Sequence, residues 1–264
     1  MITKVISRAV ENLVATAVLT IGVQAQAQVD LPLAEVQEIL TSDLALTTIT
    51  ETILIPDEVL EVATAYYRDL FENDLVAAHI RQSVPPDTLA DLLDPDINRH
   101  FPAAYTIADM FPMLSDQAVQ YLALADLRVM LEGIVHAMEV MPADQCEMAA
   151  NRQVPPEQGV EWARAALMTQ TPEALARYLD AKSRSILLAI DPSDDGRTLS
   201  VAEMQTAQDR MLAEMKAFLT GDGAGYASLP LCQQFVMVAT HMLSLEEETQ
   251  DLVLRLLVGA AAPE

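Results

Sequence analysis

Apolar residues recur along this chain at helical spacing, and runs in which apolar and polar residues strictly alternate are rare. Helix-start signals, such as a capping residue or a proline followed by acidic residues, return about every 15 to 25 residues. Only residues 44–55, LALTTITETILI, carry enough β-branched side chains to favour a short strand or an irregular crossing. A single such segment cannot form a sheet. The pattern therefore predicts an all-α protein, an irregular bundle of about eight to ten helices.

The most apolar stretch lies in the middle of the chain, at residues 116–140. Because it is apolar nearly all round, we expect one helix of about 25 residues at the centre of the bundle. Pro102 and Pro112 precede this stretch. Since proline cannot donate a backbone hydrogen bond, they predict short helical pieces and turns between residues 94 and 114.

The first 27 residues have the three parts of a secretory signal peptide. Lys4 and Arg8 supply a basic start, residues 13–23 are apolar, and residues 25–27, Ala-Gln-Ala, match a cleavage site. The apolar run of about 11 residues is shorter than the roughly 20 that cross a bilayer. Residues 1–27 are therefore predicted to be removed, with an uncleaved amphipathic helix as the alternative. We expect the mature protein to be periplasmic or secreted and to have no membrane span.

The best candidate for an internal boundary is the segment at residues 143–158, ADQCEMAANRQVPPEQ. It predicts an N-terminal helical half at 28–141 and a C-terminal helical half at 142–264, unless the two form one continuous domain. Cys146 and Cys232 are the only cysteines in the chain. In an exported protein, two cysteines are expected to form one disulfide, which here closes the C-terminal half.

The net charge of the chain limits the classes of partner that it is expected to bind. The chain has 39 Asp and Glu against 15 Lys and Arg, a net charge of −24. Nucleic acids and anionic membranes require basic surfaces, so neither is expected to bind. An acidic surface attracts cations and basic proteins, although solubility alone is the simpler explanation of the charge. The expected partner is a protein, and a basic one if charge contributes to recognition.

One acidic stretch has the spacing of a cation site. Residues 191–203 read DPSDDGRTLSVAE, with oxygen-bearing side chains at ligand positions and a glycine at the turn. The stretch resembles the calcium loop of a single degenerate EF-hand, and the resemblance implies a weak calcium site. Its ligands would be Asp191, Ser193, Asp195 and Glu203. Ligand positions of the EF-hand loop can be counted forward from Asp191 or backward from Glu203, and the two assignments differ by one residue. The alternative is an acidic turn followed by a helix that Ser200 and Glu203 cap as a capping box.

The sequence contains none of the catalytic motifs G-x-S-x-G, H-E-x-x-H and S-x-x-K. Glu132, His136 and Glu139 share one helical face and are a second metal candidate, with an ordinary hydrogen-bonded histidine as the alternative. The 13 methionines are spaced for core packing rather than clustered for copper. We therefore expect a non-enzymatic exported protein that binds a partner. The alternative is an envelope hydrolase whose site assembles from distant residues.

Overall fold

The structure, a computed structural model, describes residues 31–52, 55–94, 96–151, 153–192, 197–221 and 225–259. These residues form thirteen α-helices, three single-turn 3₁₀ helices and no strand. The prediction of an all-α fold is confirmed, and the helices are more numerous than the eight to ten expected. The predicted signal peptide at residues 1–27 lies outside the described residues.

The helices follow one another through short connections. The first seven are α1 (Leu33–Thr41), α2 (Asp43–Thr52), α3 (Leu60–Glu72), α4 (Asp74–Ser83), α5 (Pro86–Asp91), α6 (Ile97–Ala118) and α7 (Leu124–Val140). The remaining six are α8 (Ala143–Ala150), α9 (Pro156–Leu167), α10 (Pro172–Ile190), α11 (Val201–Thr220), α12 (Leu231–Leu243) and α13 (Glu247–Gly259). The 3₁₀ helices are Asp57–Val59, Val119–Tyr121 and Tyr226–Ser228.

The chain forms two compact units, each built from separated stretches of sequence. Among the described residues, the first unit contains 31–118 and 171–192, which hold α1–α6 and α10. The second unit contains 119–170 and 197–259, which hold α7–α9 and α11–α13. The boundary predicted between residues 141 and 142 falls inside the second unit.

The first unit is organised around α6, which contacts α2, α5 and α10. Its buried face includes Ile107 and Phe111, and the Phe111 ring lies 5.9 Å from that of Phe71 on α3. Pro102 and Pro112 lie inside this helix, so the prediction of short pieces between residues 94 and 114 is wrong. Each proline removes one backbone hydrogen bond. The continuous apolar face that the helix buries offsets that loss.

The strand or irregular crossing predicted at residues 44–55 is also wrong, because residues 43–52 form α2. Ala45, Leu46 and Ile49 are fully buried at helical spacing. Three of the threonines satisfy their hydroxyl groups within the helix by donating to a carbonyl one turn earlier, as Thr48 does to Leu44 at 2.8 Å; the other two are Thr50 and Thr52. Packing of one apolar face therefore decides the conformation against the β-branched propensity.

The single helix predicted at residues 116–140 is divided. Helix α6 ends at Ala118, a 3₁₀ turn occupies Val119–Tyr121, and α7 begins at Leu124. The two helical parts belong to different compact units. The long apolar stretch thus supplies two cores rather than one, which explains part of the excess of helices over the prediction.

In the second unit, α7 contacts α9 and α12. The sulfur atoms of Cys146 and Cys232 lie 2.00 Å apart and their Cα atoms 6.1 Å apart, the separations of a disulfide. Glu147, next to the first cysteine, accepts a hydrogen bond from the Cys232 N–H at 3.0 Å. This carboxylate supplies the start of α12 with the cap that Pro230 does not. None of the described helices is both long and apolar enough to cross a bilayer.

Candidate functional site

The predicted calcium loop is only partly described. Ser193 and Asp195 lie outside the described residues. Asp191 is exposed at the carboxyl end of α10, and Glu203 lies in the first turn of α11. Within the described part of the chain, no three His, Cys, Asp or Glu side chains are grouped to hold a metal ion. Calcium binding at residues 191–203 stays a prediction.

The capping box at the start of α11 is present. The Ser200 hydroxyl oxygen accepts from the Glu203 N–H at 3.3 Å. In return, Oε2 of Glu203 accepts from the Ser200 N–H at 2.9 Å and from its hydroxyl at 2.8 Å. Arg197 donates to Oε1 at 3.0 Å. The hydrogen bonds from Ser200, followed by the Arg197 guanidinium, lower the pKa of Glu203 to about 2.

Beside this capping box the second unit has an open cavity of about 700 Å³. Three arginines and four carboxylates line it: Arg197, Arg210, Arg255, Glu203, Glu247, Glu248 and Asp251. Thr206, Leu124 and Leu252 complete the lining. Helical spacing explains why α11 and α13 each present several of these side chains to the same space, since residues three, four and seven apart share a face. The cavity is called the arginine cavity below.

Two of its arginines share one carboxylate. Arg255 is 5% exposed and donates from Nε to Oδ1 of Asp251 at 2.8 Å. Arg197 donates from Nη1 to the other carboxylate oxygen of Asp251. Nη1 of Arg255 also donates to the backbone carbonyls of Gln120, at 2.9 Å, and Arg197, at 3.0 Å. Arg255 and Asp251 are buried charges, which require such partners. The Arg197 side chain is about half exposed and pairs with both Asp251 and Glu203.

The third arginine is paired with an exposed carboxylate. Arg210 donates to the Glu248 carboxylate at 2.7 Å and to the Thr249 hydroxyl at 3.1 Å. The Glu248 side chain is 79% exposed. Exposed ion pairs contribute only about 0 to 1 kcal/mol, because water and side-chain entropy compete with them. The Arg210–Glu248 pair is therefore easily exchanged, in contrast to the pairs of Asp251.

The outer face of α11 carries a different feature. Val201, Met204 and Leu212 are 79%, 39% and 63% exposed. At 100° per residue these three positions fall within about 80° of the helix circumference. We call them the α11 stripe. Single exposed apolar side chains are ordinary on protein surfaces, whereas several along one helix face are typical of an interaction site.

His136, from the second metal candidate, makes an ordinary hydrogen bond. Its Nε2 lies 2.9 Å from the Thr169 hydroxyl, which itself donates to the Ala166 carbonyl at 2.7 Å. Because the Thr169 proton is used in that way, His136 is the donor to Thr169. The structure thus favours the alternative interpretation of this histidine.

The first unit contains a buried polar cluster between α6 and α10. The Ser185 hydroxyl donates to the Ser115 carbonyl at 2.6 Å. Burial raises the pKa of Asp116 to about 6, against the opposing effect of the Lys182 ammonium group. Burial, followed by the charge of Asp116, raises the pKa of Tyr178 to about 12. Both serines are buried, so their hydroxyl groups are closed to a substrate in this structure.

Neither the arginine cavity nor the α11 stripe was predicted from the sequence. The cavity is lined by Arg197, Arg210 and Arg255, which are far apart in the sequence. The only sequence signal that could have identified them is the scarcity of basic residues in this acidic chain. The stripe had a clearer signal, because α11 has more apolar residues than one buried face requires. No known protein family, curated protein or solved structure matches this chain. Any function of the chain therefore has to follow from the chemistry of its own sites.

Proposed function

We propose that this protein is an exported, non-enzymatic binding protein, and that it binds a basic segment of another protein at the α11 stripe. The exposure of Val201, Met204 and Leu212 on one side of α11 is the observation that carries the proposal. Burying a fully exposed side chain of this size is favourable by about 1.5 to 3 kcal/mol. Val201 and Leu212, the two more exposed members, therefore have the most to gain. Three neighbouring anchors suit the apolar face of an amphipathic helix.

The charge of the chain supports a basic partner. A second copy would bring another net charge of −24 to the interface, and long-range repulsion would oppose its approach. Asp209, exposed on α11 close to the stripe, offers a negative charge at its edge. A partner that combines apolar residues with flanking Lys or Arg matches both features, because complementary charge speeds association and selects the partner.

Export and calcium belong to the same proposal, and each has its own support. Export is supported by the leader-like residues 1–27 and by the cysteine pair, since disulfides persist mainly outside the cytoplasm. Calcium as an auxiliary stabiliser is supported by the sequence of residues 191–203 alone. Among the described residues, no comparable arrangement supports the hydrolase alternative.

A displayed library of random peptides, selected against the full exported chain, tests the docking proposal. We expect enriched peptides that carry Lys or Arg beside large apolar residues. Leu212→Glu should weaken binding of a selected peptide by about tenfold or more, because a charge replaces an apolar anchor at the interface. Leu75→Glu is the matched control, since Leu75 is also an exposed leucine but lies on α4. Enrichment of peptides without this composition, or equal weakening by both substitutions, would overturn the proposal.

A further inference from the structure

The α11 stripe includes a side chain that oxidants can change. Met204 is the middle member of the stripe, between Val201 and Leu212 in sequence. Methionine is a flexible thioether that adapts to the shape of a partner, and it is frequent on binding surfaces for this reason. Its sulfur atom also accepts an oxygen, which converts the apolar side chain into a polar sulfoxide. The residue that suits docking is therefore also the one through which docking can be altered chemically.

Exposure distinguishes Met204 from most other methionines of the chain. Of those that the structure describes, Met113 on α6 and Met204 are the two that are exposed, at 41% and 39%. Met211 and Met215 lie on the same helix as Met204 and are buried. A peroxide in solution has to reach the sulfur atom in order to react with it, so buried methionines are protected. Met113 and Met204 are therefore expected to react first.

The start of α11 is held by interactions that do not involve the Met204 thioether. The Met204 N–H donates to the Ser200 carbonyl at 2.8 Å. The capping box of Ser200 and Glu203 fixes the same turn. Because these interactions use backbone and capping groups only, oxidation of Met204 leaves them in place. The folded chain then keeps the stripe in position while one of its anchors becomes polar.

We propose that Met204 is a modification site for peroxides, and that its oxidation weakens docking at the α11 stripe. This inference rests on the proposed function of the stripe. The sulfur lone pair attacks one oxygen of hydrogen peroxide, and the O–O bond breaks as the S–O bond forms. The departing hydroxide takes the proton of the transferred oxygen and leaves as water. The sulfur is thereby oxidised to the sulfoxide and the peroxide is reduced.

The sulfoxide weakens docking through its oxygen atom. In free protein this oxygen accepts hydrogen bonds from water, and a partner that covers Met204 with apolar side chains removes them. Burying a polar atom without a hydrogen-bond partner is unfavourable, whereas burying the thioether is favourable. Oxidation thus acts on the bound state more than on the free protein.

Treatment of the full exported chain with hydrogen peroxide, followed by peptide mapping with mass spectrometry, tests the site. Met113 and Met204 should each gain one oxygen before Met211 and Met215 do. A bound peptide, selected from the displayed library, should slow the reaction at Met204 several-fold and leave the reaction at Met113 unchanged. Oxidation of Met204 at the same rate as Met211 and Met215 would overturn the proposal.

The affinity for the selected peptide, measured before and after oxidation, tests the effect on docking. Oxidation should weaken binding by about fivefold or more, and methionine sulfoxide reductase should restore it. Met204→Leu keeps an apolar side chain of similar size, so this variant should bind the peptide and lose its response to peroxide. Met113→Leu is the matched control and should still lose affinity on oxidation.

Failure of this inference can be told apart from failure of the docking proposal. If no basic amphipathic peptide is selected, or if Leu212→Glu binds the peptide normally, docking at the stripe fails and this inference fails with it. If the peptide docks but oxidised protein binds it equally well, only this inference is overturned. The same holds if Met204→Leu stays sensitive to peroxide, or if circular dichroism shows that oxidation unfolds the chain.

Discussion

Asp116 is a partly buried carboxylate on α6. Burial raises its pKa to about 6 from 3.8, and the nearby Lys182 ammonium only partly opposes this. The folded protein therefore binds the proton more tightly than the unfolded chain does. The stability that this proton contributes is fully present below about pH 4 and is lost as the pH rises through about 6.

Asp116→Asn should stabilise the protein at pH 7.5, because the neutral amide avoids the burial of a charge. The upper bound is about 3 kcal/mol, from a shift of roughly two pKa units at 1.4 kcal/mol each. The gain should disappear below about pH 4, where Asp116 is protonated in both states. Urea unfolding at a series of pH values measures this. Asp69→Asn, at an exposed position on α3, is the control and should show no such trend. A pH-independent effect of Asp116→Asn would contradict the account.

Tyr66 provides a second test at the scale of one residue. Its hydroxyl group is buried and has no hydrogen-bond partner among the described residues, and burial raises its pKa well above 10.0. Tyr66→Phe should therefore leave stability unchanged or increase it by up to about 1 kcal/mol, since an unsatisfied polar atom is removed. Tyr105→Phe, at an exposed position, should have no effect in the same urea titration. A clear loss of stability in Tyr66→Phe would indicate a partner for this hydroxyl.

At the scale of elements, α11 combines three roles on different sides. Its amino end carries the capping box of Ser200 and Glu203, one face lines the arginine cavity through Thr206 and Arg210, and another presents the α11 stripe. Side chains three, four or seven residues apart share one face of a helix, and other spacings place them on other faces. One helix can therefore accommodate all three roles. The stripe can therefore be altered without changing the residues that line the arginine cavity.

The loop that precedes α11 has its own prediction. If Asp191, Ser193, Asp195 and Glu203 share an ion, calcium should raise the melting temperature more than magnesium does, because magnesium demands tighter octahedral geometry. At ten times the Kd, the gain is about 1.4 kcal/mol, or a few degrees for a chain of this size. Asp195→Ala should abolish the shift. Scanning calorimetry at fixed ionic strength measures both.

Glu203→Gln separates the cap from the ion. In calcium-free buffer this change should be mild, because glutamine can still complete the capping box with Ser200 while losing only the exposed pair with Arg197. In calcium it should remove the selective shift. Equal responses to calcium and magnesium in wild-type protein and Asp195→Ala would indicate general screening of the acidic surface, and the calcium site would be abandoned.

At the scale of the whole molecule, the cysteine pair restricts the unfolded chain most strongly. Cys146 and Cys232 are 86 residues apart in sequence. Both belong to the second unit, and the loop that they close includes α10 of the first unit. On the chain-entropy model, a loop of this length corresponds to about 4 to 5 kcal/mol. The free energy that a contact of a single side chain contributes to stability is several times smaller.

Reduction should therefore lower the melting temperature markedly, and a Cys146→Ala, Cys232→Ala double variant should melt at the same lower temperature with or without reductant. Thiol labelling of unfolded, unreduced protein should find no free thiol. Two labelled thiols in that experiment would show that the disulfide is absent. Labelling only after reduction would support it.

The sequence alone determined the features that depend on local chemistry or on pairing without alternatives. Helical spacing of apolar residues predicted the all-α class, and Ser200 with Glu203 predicted the capping box at the start of α11. Cys146 and Cys232 had no other cysteine with which to pair. In each case the interaction lies within a few residues of sequence or has only one available partner. The sequence alone is therefore enough to predict it.

Only the tertiary structure decided where local signals conflicted or where distant residues met. Residues 43–52 became a helix, and α6 continued through Pro102 and Pro112, because the apolar faces that they bury outweigh propensity and a lost hydrogen bond. The arginine cavity required Arg197, α11 and α13 to pack together. Burial energy is a property of the packed surface between elements, and no single segment of sequence contains the other side of that surface.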